Sequence, residues 1–384
     1  MSLHSNRLVK ETRIAMADKK SNPLGIFKFN RVIIPVLIGL GVGFFMISRE
    51  YRKNGSLFSD LAFLFSSYSA LCLCIAILFE CMREFMYMYR IRLLSDKKLS
   101  WKKAFQIIML WEFSSTVTPT SIGGSAVALF IIPMEGISVG KSTAMVMIAT
   151  LMDELFYVVI TPIVILLVGS HTAFATHFKF SVLGHKISEL HVFFIGYSFM
   201  TLLSVVILFA IFFFPKKFRN FLYKMGNKRM FKRWQNKFEK MGDDVLVSSK
   251  EYKDKNIIFW LRAYFSTILS WTSRFLVLNF VLMAYNPQIN TIFENLLIYC
   301  RQLVMWIVLC ISPTPGSSGV AEFAFPLFFT EFLPEGLQGV LALLWRLFTY
   351  YPYIIIGLLV LPYWTSRVYK QRQQTKKDKE KKQG

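Results

Sequence analysis

The 384-residue chain is poor in charge and poorer still in acid. Only 18% of its residues are Asp, Glu, Lys or Arg, and 23 acidic residues face 45 basic ones. A soluble domain carries about 25% charged residues. The shortfall, with 54% hydrophobic residues and a mean hydropathy of +0.44, excludes a disordered chain and argues against a water-soluble fold. Cysteine is scarce and odd in number. Cys72, Cys74, Cys81, Cys300 and Cys310 all lie in apolar runs, none in a metal-binding or redox spacing, so they read as reduced, structural thiols. No Walker motif is present, which excludes that route to ATP hydrolysis, and no metal or cofactor is expected. The basic N-terminus lacks a short apolar stretch ending at a small-residue cleavage site, and Met16 stands as an alternative start.

What the chain has is long apolar runs. A bilayer core about 30 Å thick needs about 20 apolar residues at 1.5 Å each. Runs at 32–48, 61–82, 141–168, 192–214, 257–284 and 337–363 predict six full spans, and their lack of period-two alternation predicts helices rather than a barrel. The basic residues then fix orientation. Segments 1–31, 83–103, 215–256 and 364–384 carry seven, seven, thirteen and eight Lys/Arg, whereas 49–60, 169–191, 285–293 and 331–336 carry three, two, none and none. Both termini are therefore expected on the cytoplasmic side of the cytoplasmic membrane. The same reading explains the net charge of +22 without nucleic-acid binding.

That orientation constrains two interrupted apolar stretches. Stretch 104–132 must start and finish inside, and 294–330 must start and finish outside. The halves of the first are short, Ala104 to Thr118 and Ile122 to Ile132, which predicts re-entrant hairpins turning near mid-membrane. Both turns read T-P-x-S-x-G. One is Thr118-Pro119-Thr120-Ser121-Ile122-Gly123, followed by Gly124; the other is Thr314-Pro315-Gly316-Ser317-Ser318-Gly319. Entry from opposite sides makes this an inverted-topology repeat, with halves at about 104–168 and 294–363. Pro119, Pro313 and Pro315 end the incoming half-helices, Ser or Thr caps the outgoing ones, and glycine allows close approach. A helix N-terminus left at that depth offers amide hydrogens to phosphate or carboxylate. Two structural kinks satisfied by neighbouring helices are the plainer alternative.

Seven ionisable residues fall inside apolar segments: the acids Glu112, Asp153, Glu154 and Glu322, and the arginines Arg274, Arg301 and Arg346. A charge at the bilayer centre costs about 2.5–3.5 kcal/mol on insertion scales, so these predict a polar interior. An ion-pair lattice and a groove for a charged head group both fit, with the arginines as the better anion ligands. Glu80 and Arg83 read as snorkelling at the inner end of the second span. His171, His177, His185 and His191 in the outer loop read as solvated. Residues 216–240 hold ten Lys/Arg and one acid, with Phe218, Phe221, Leu222 and Met225 on one helical face, a pattern continued by Trp234, Phe238 and Met241. This predicts an interfacial amphipathic helix on an anionic leaflet, serving as an orientation anchor or recruiting lipid. The three regions are thus a basic segment 1–30, one membrane domain 31–365 and a disordered basic tail 366–384.

Segment 111–155, and above all Ser312-Pro313-Thr314-Pro315-Gly316-Ser317-Ser318-Gly319-Val320-Ala321-Glu322, resembles the lysylphosphatidylglycerol synthase transmembrane-region, or flippase-like, family. The hallmark is a proline–glycine break followed by G-x-x-E, here Gly319 to Glu322. The resemblance covers roughly residues 30–365. At the first break the family usually carries an Arg/Gly-rich turn, where this chain has Ser121-Ile122-Gly123-Gly124. Family members with synthase activity add a soluble acyltransferase domain, and about 20 residues after the last span leave no room for one. The resemblance therefore implies the translocation half alone, with membrane phospholipid or a lipid-linked molecule as substrate, anionic lipid at the inner leaflet and homo-oligomerisation open. A membrane-embedded transferase on a polyprenyl-linked substrate and a small-solute transporter are the alternatives.

Overall fold

The computed structural model describes residues 29–54, 61–118, 122–174, 179–182, 185–228, 232, 235–310, 314–334 and 336–381. Polar side chains start the helices where apolar runs meet linkers. Ser66, Ser100, Ser138 and Asn256 each accept a backbone N–H at the head of α2 (Ser67–Leu94), α3 (Trp101–Val117), α5 (Val139–Val168) and α9 (Ile257–Tyr285). Thr291 and Glu294 form a reciprocal capping box on α10 (Ile292–Leu309). Ahead of these lies α1 (Phe29–Asn54), and α4 (Ile122–Met134) follows the first break. The linker after α5 forms a small antiparallel hairpin, β1 (Lys179–Val182) with β2 (His185–Ser188), before α6 (Glu189–Leu208), which continues as a π-turn to Phe213.

Among the described residues, five helical stretches are long and apolar enough to cross a membrane: α5, Glu189–Phe213, α9, α10 and Gln338–Gln371. Of the six expected spans, 141–168, 192–214, 257–284 and 337–363 are in this set, 32–48 and 61–82 are not, and α10 is added. The stretch expected as one span over 337–363 bends at Tyr350 into α12 (Gln338–Thr349) and α13 (Tyr351–Lys381). Pro352 stands in the first turn of α13, where its missing N–H is harmless, and it disfavours helix at the residue before it. In the second interrupted stretch α10 has 18 residues, about 27 Å, so only α11 (Val320–Phe329) is short. The basic loop is two helices, α7 (Pro215–Asn227) and α8 (Gln235–Lys253), rather than one amphipathic rod. In place of a disordered tail, α13 runs on to Lys381 through Lys, Arg and Gln, all good helix formers.

Two units of like order pack on each other. The first is α2–α3–α4–α5, the second α9–α10–α11 followed by α12 and α13. A shift of 196 residues (314 − 118) brings Thr118 onto Thr314, Gln106 onto Gln302 and Glu135 onto Glu331. The leading helices α2 and α9 run antiparallel: Ser69 Oγ donates to the Ala284 carbonyl at 2.6 Å, Arg90 Nη1 to Thr267 Oγ1 at 2.8 Å, and Ser270 Oγ to the Arg83 carbonyl at 3.1 Å. Contacts exchange in matched pairs, α3 with α13 and α10 with α5. On the outside of this pairing α1 lies along α12, with Gly43 against Leu343, and α6 leans on α5 and α10.

The α7–α8 hairpin is tied to the ends of α2, α5 and α9. Lys141 Nζ bonds Asp96 Oδ2 at 2.5 Å and Glu251 Oε1 at 2.6 Å, and Lys255 Nζ bonds Asp96 Oδ1 at 2.6 Å. Burial pushes the Asp96 carboxyl up, but the two ammonium groups outweigh it and hold it below its ordinary value. Tyr252 Oη donates to the Leu94 carbonyl at 2.7 Å, and burial raises this phenol.

Candidate functional site

The two breaks meet. At the first, α3 ends in a run of small hydroxyl residues that bond back to its own carbonyls: Ser114 to Leu110 at 2.6 Å, Thr116 to Phe113 at 2.7 Å and Thr118 to Ser114 at 2.6 Å. Such bonds satisfy hydroxyls without a partner from another element. Gly123 and Gly124 let α4 return closely along α3: a Cβ there would sit 2.0 Å from Thr118 Oγ1 or 1.9 Å from Ser115 Oγ. Pro119 and Ser121 lie outside the described residues, as do Thr120 and, at the second break, Pro313. The second break is a tight turn. Ser317 N–H donates to the Thr314 carbonyl and Ser318 N–H to the Pro315 carbonyl, both at 3.0 Å. Gly316, Ser317 and Gly319 take φ of +56°, +53° and +81°, the left-handed region that glycine enters freely. A Cβ on Gly316 would lie 2.8 Å from the carbonyl oxygen of Thr116 in the first break and 2.6 Å from the Tyr350 ring. Tyr350 Oη itself donates to that Thr116 carbonyl at 3.3 Å.

Around this junction lies a cavity of about 230 Å³. Ser115 and Thr116 of the first break line it with Thr314, Gly316 and Ser317 of the second; its charged walls are Arg83, Glu112, Asp153, Glu154, Arg274 and Arg346. Five of the seven ionisable residues singled out in the sequence therefore share one space. The aromatic side chains Trp111, Trp271 and Trp306 complete much of the remaining wall.

Most of these charges are paired. Arg346 Nε donates to Glu322 Oε1 at 3.0 Å, and its Nη2 reaches the Gly316 and Ser317 carbonyls, each at 3.3 Å. Glu322 Oε2 accepts the Gly319 N–H at 2.6 Å. The amide end of α11, expected to offer a hydrogen to an anion, is thus occupied by the chain's own carboxylate, and Glu322 is wholly buried there. Asp153 is held by Arg90 (2.6 and 3.0 Å) and by Trp271 Nε1 at 2.9 Å. Arg83 Nη2 bonds Glu112 Oε1 at 2.9 Å.

Two groups differ. Among the described residues Arg274 reaches the Thr349 carbonyl at 3.4 Å and lies over the face of Trp306, 4.8 Å from the ring centroid, and it joins none of the ion pairs that hold Arg83, Arg90 and Arg346. Glu154 lines the same cavity with Oε2 buried and unbonded.

Arg301 is elsewhere. Its Nη2 bonds Glu331 Oε1 at 2.9 Å and the Thr172 carbonyl at 3.3 Å, and Nη1 reaches the Phe328 carbonyl, which ties α10 to the segments that follow α5 and α11. Arg83, expected to snorkel, is 2% exposed and central to the polar interior. Arg90, Glu84 and Tyr353 join it there without having been singled out in the sequence. The available signal was Glu80, Arg83, Glu84, Tyr87 and Arg90 at three- and four-residue spacing, one face of α2.

The lysylphosphatidylglycerol synthase transmembrane-region family model matches residues 32–357. The chain belongs to that family. It is also similar to a "UPF0104 membrane protein" of Archaeoglobus fulgidus, 27% identical over 308 residues that make up 76% of this chain and 86% of the relative. The family match takes in both breaks, all the charged residues of the cavity wall and the bend at Tyr350, and stops within α13.

Proposed function

We propose that the protein is a lipid translocator, in which an anionic or lipid-linked head group crosses through the cavity between the two broken hairpins while acyl chains stay in the surrounding lipid. The observation that carries this is Arg274: a buried cation on a cavity wall shared by both breaks, outside the ion pairs that neutralise its neighbours. A buried unpaired charge is costly, so a cavity that keeps one is suited to an anion that completes it. At about 230 Å³ the space is smaller than a typical drug-sized pocket and suits a head group rather than a whole phospholipid. In this reading α3–α4 and α10–α11 are re-entrant or tilted elements of an inverted repeat in the cytoplasmic membrane. The basic segments lie inside, the α7–α8 hairpin rests on anionic lipid, and no group transfer takes place.

The test uses purified full-length protein in vesicles containing a fluorescent anionic lipid, with leaflet exchange followed by quenching from outside. Wild-type protein should accelerate exchange, and Arg274→Gln should lose most of the acceleration while retaining its melting behaviour. Equal exchange by both proteins would remove Arg274 from the mechanism. Turnover of a lipid-linked sugar by the same preparation would instead favour a transferase, although Asp153 is already engaged by Arg90 and Trp271.

A further inference from the structure

On one wall of the cavity, where Arg83, Glu112 and Tyr353 face it, is a second group of ionisable side chains that extends away from it to Glu80 and Glu84. Glu80, Glu84 and Glu112 surround the single guanidinium of Arg83, with Tyr353 in their midst. Arg83 donates to Glu84 and to the Tyr353 hydroxyl, and it reaches Glu112 at 2.9 Å and Glu80 at 3.8 Å. Tyr353 Oη lies 2.6 Å from Glu84 Oε1 and is also bonded to Glu80 Oε1.

The hydrogens at this point can be counted. A tyrosine hydroxyl carries one hydrogen, and an ionised carboxylate only accepts. Arg83 fills one acceptor position of the Tyr353 oxygen. The phenolic hydrogen can serve Glu80 or Glu84 but not both. The second carboxyl oxygen faces the phenol oxygen at hydrogen-bond distance, and that contact needs a hydrogen between the two oxygens. Charge points the same way: three ionised carboxylates around one buried guanidinium would leave two net negative charges on half-buried side chains, with little water to screen them. A separate observation is that Glu80 Oε2, Glu84 Oε2 and the Nε of Arg83, a residue 2% exposed, all lack partners and solvent. The hydrogens in place do not meet the acceptors: two carboxyl oxygens go unfilled while the Arg83 Nε–H is itself unused.

We propose that Glu80, Glu84 and Tyr353 form a proton-binding site, shared between the two repeat units, that ties head-group passage to uptake and release of a proton. The proton comes from water onto a carboxylate oxygen of the pair, leaving a neutral carboxylic acid, and returns to water on release. The two glutamates sit on α2 of the first unit and the phenol on α13 of the second. Relative motion of the units would separate the phenol from the pair and change its proton affinity. The groups facing the pair are Arg83 and Tyr87 on α2, Glu112 on α3 and Tyr353 on α13. Arg274 of α9 and Arg346 of α12, with Asp153 and Glu154 of α5, stand on the walls of the adjoining cavity. An anion entering there adds negative charge near the pair and favours its protonated form; by linkage, protonation favours the anion equally. Coupling between sites of this kind is typically about 5–150-fold. The coupling rests on the translocation reading, but proton binding does not.

Infrared spectroscopy of the full-length protein in vesicles reads the proton directly. Wild-type protein at neutral pH should show the C=O band of a protonated carboxylic acid, and the double variant Glu80→Gln, Glu84→Gln should lose it. Tyr353→Phe, which keeps the ring, should shift that band toward a weaker hydrogen bond. A wild-type spectrum without the band, or a band unchanged in both variants, overturns the site. In the lipid-exchange assay with an imposed pH gradient, wild-type exchange should change several-fold with the gradient, and the double variant should not respond. Exchange that ignores the gradient in wild-type protein overturns the coupling. A protonated-acid band that disappears in the double variant, together with no exchange under any gradient, upholds the proton site and sinks the translocation reading instead.

Discussion

Gly316→Ala tests the junction of the two breaks most directly. The new methyl meets two separate obstacles. Gly316 has φ of +56°, and an L-residue held in a sparsely populated backbone region costs about 1–3 kcal/mol. Its Cβ would also approach the Thr116 carbonyl oxygen to 2.8 Å and the Tyr350 ring to 2.6 Å, and overpacking of that kind costs a further ~1–3 kcal/mol. The two contributions can be separated. Gly136 has φ of +92° with nothing within 4 Å of an added methyl, so Gly136→Ala carries the backbone cost alone. Gly41 lies in α1 with open space around it, so Gly41→Ala should be neutral or stabilising by up to ~1 kcal/mol. Apparent Tm in detergent should therefore rank Gly41→Ala at or above wild type, Gly136→Ala below, and Gly316→Ala lowest. Gly316→Ala melting together with Gly136→Ala would mean that the second break does not press on the first, and the shared cavity would go with it.

Glu322→Gln should be severe: it leaves the buried Arg346 without its carboxylate and weakens the cap on Gly319. Breaking such a pair typically costs about 3–5 kcal/mol, read as a fall in Tm and in the yield of folded protein. Arg301→Gln should lower Tm without a selective loss of lipid exchange, because Arg301 joins α10 to the segments at Thr172 and Glu331, away from the cavity. The Asp96 carboxyl is held below its ordinary value by Lys141 and Lys255. Its contribution is therefore complete above the unfolded value, about 3.9, and is lost as pH falls through the lower folded value. Melts taken from neutral pH downward should show wild-type protein losing more stability than Asp96→Asn; equal losses would refute the assignment.

Much of the architecture was legible because it rests on local chemistry. The repeated T-P-x-S-x-G could be read as a pair of breaks because proline and glycine act on their own backbone. That Thr116 and Gly316 touch could not, since 200 residues separate them and no local preference records the contact. Arg83 and Arg90 were assigned to a basic inner segment because apolar composition falls away after residue 82. The helix itself continues to Leu94 and turns those side chains inward. The partners of the buried acids were likewise hidden: Glu322 chooses Arg346 and Asp153 chooses Arg90 through packing of distant helices. The bend at Tyr350 had a local signal in Pro352 that the length of the surrounding apolar run obscured.

On the proposed translocation, the group that would attract the anion is not the one the sequence suggests. The sequence placed that task on the amide ends of broken helices, worth typically 0.3–1 kcal/mol each and up to about 2 in partly buried geometry. At the second break the end is already occupied by Glu322. At the first, the same 196-residue shift places Ala126 opposite Glu322 and Thr150 opposite Arg346, so the built-in anion and its arginine have no counterpart. A full charge does more than a helix end: at an effective dielectric near 20, two unit charges 4 Å apart interact by about 4 kcal/mol. Arg274 should therefore dominate, and its replacements separate charge from shape. If a point charge suffices, Arg274→Lys keeps much of the lipid exchange that Arg274→Gln loses. If the planar fork on a phosphate is what matters, Lys fails as badly as Gln. Exchange at the wild-type rate in both variants would return the task to the first break's helix end and refute the primacy of Arg274.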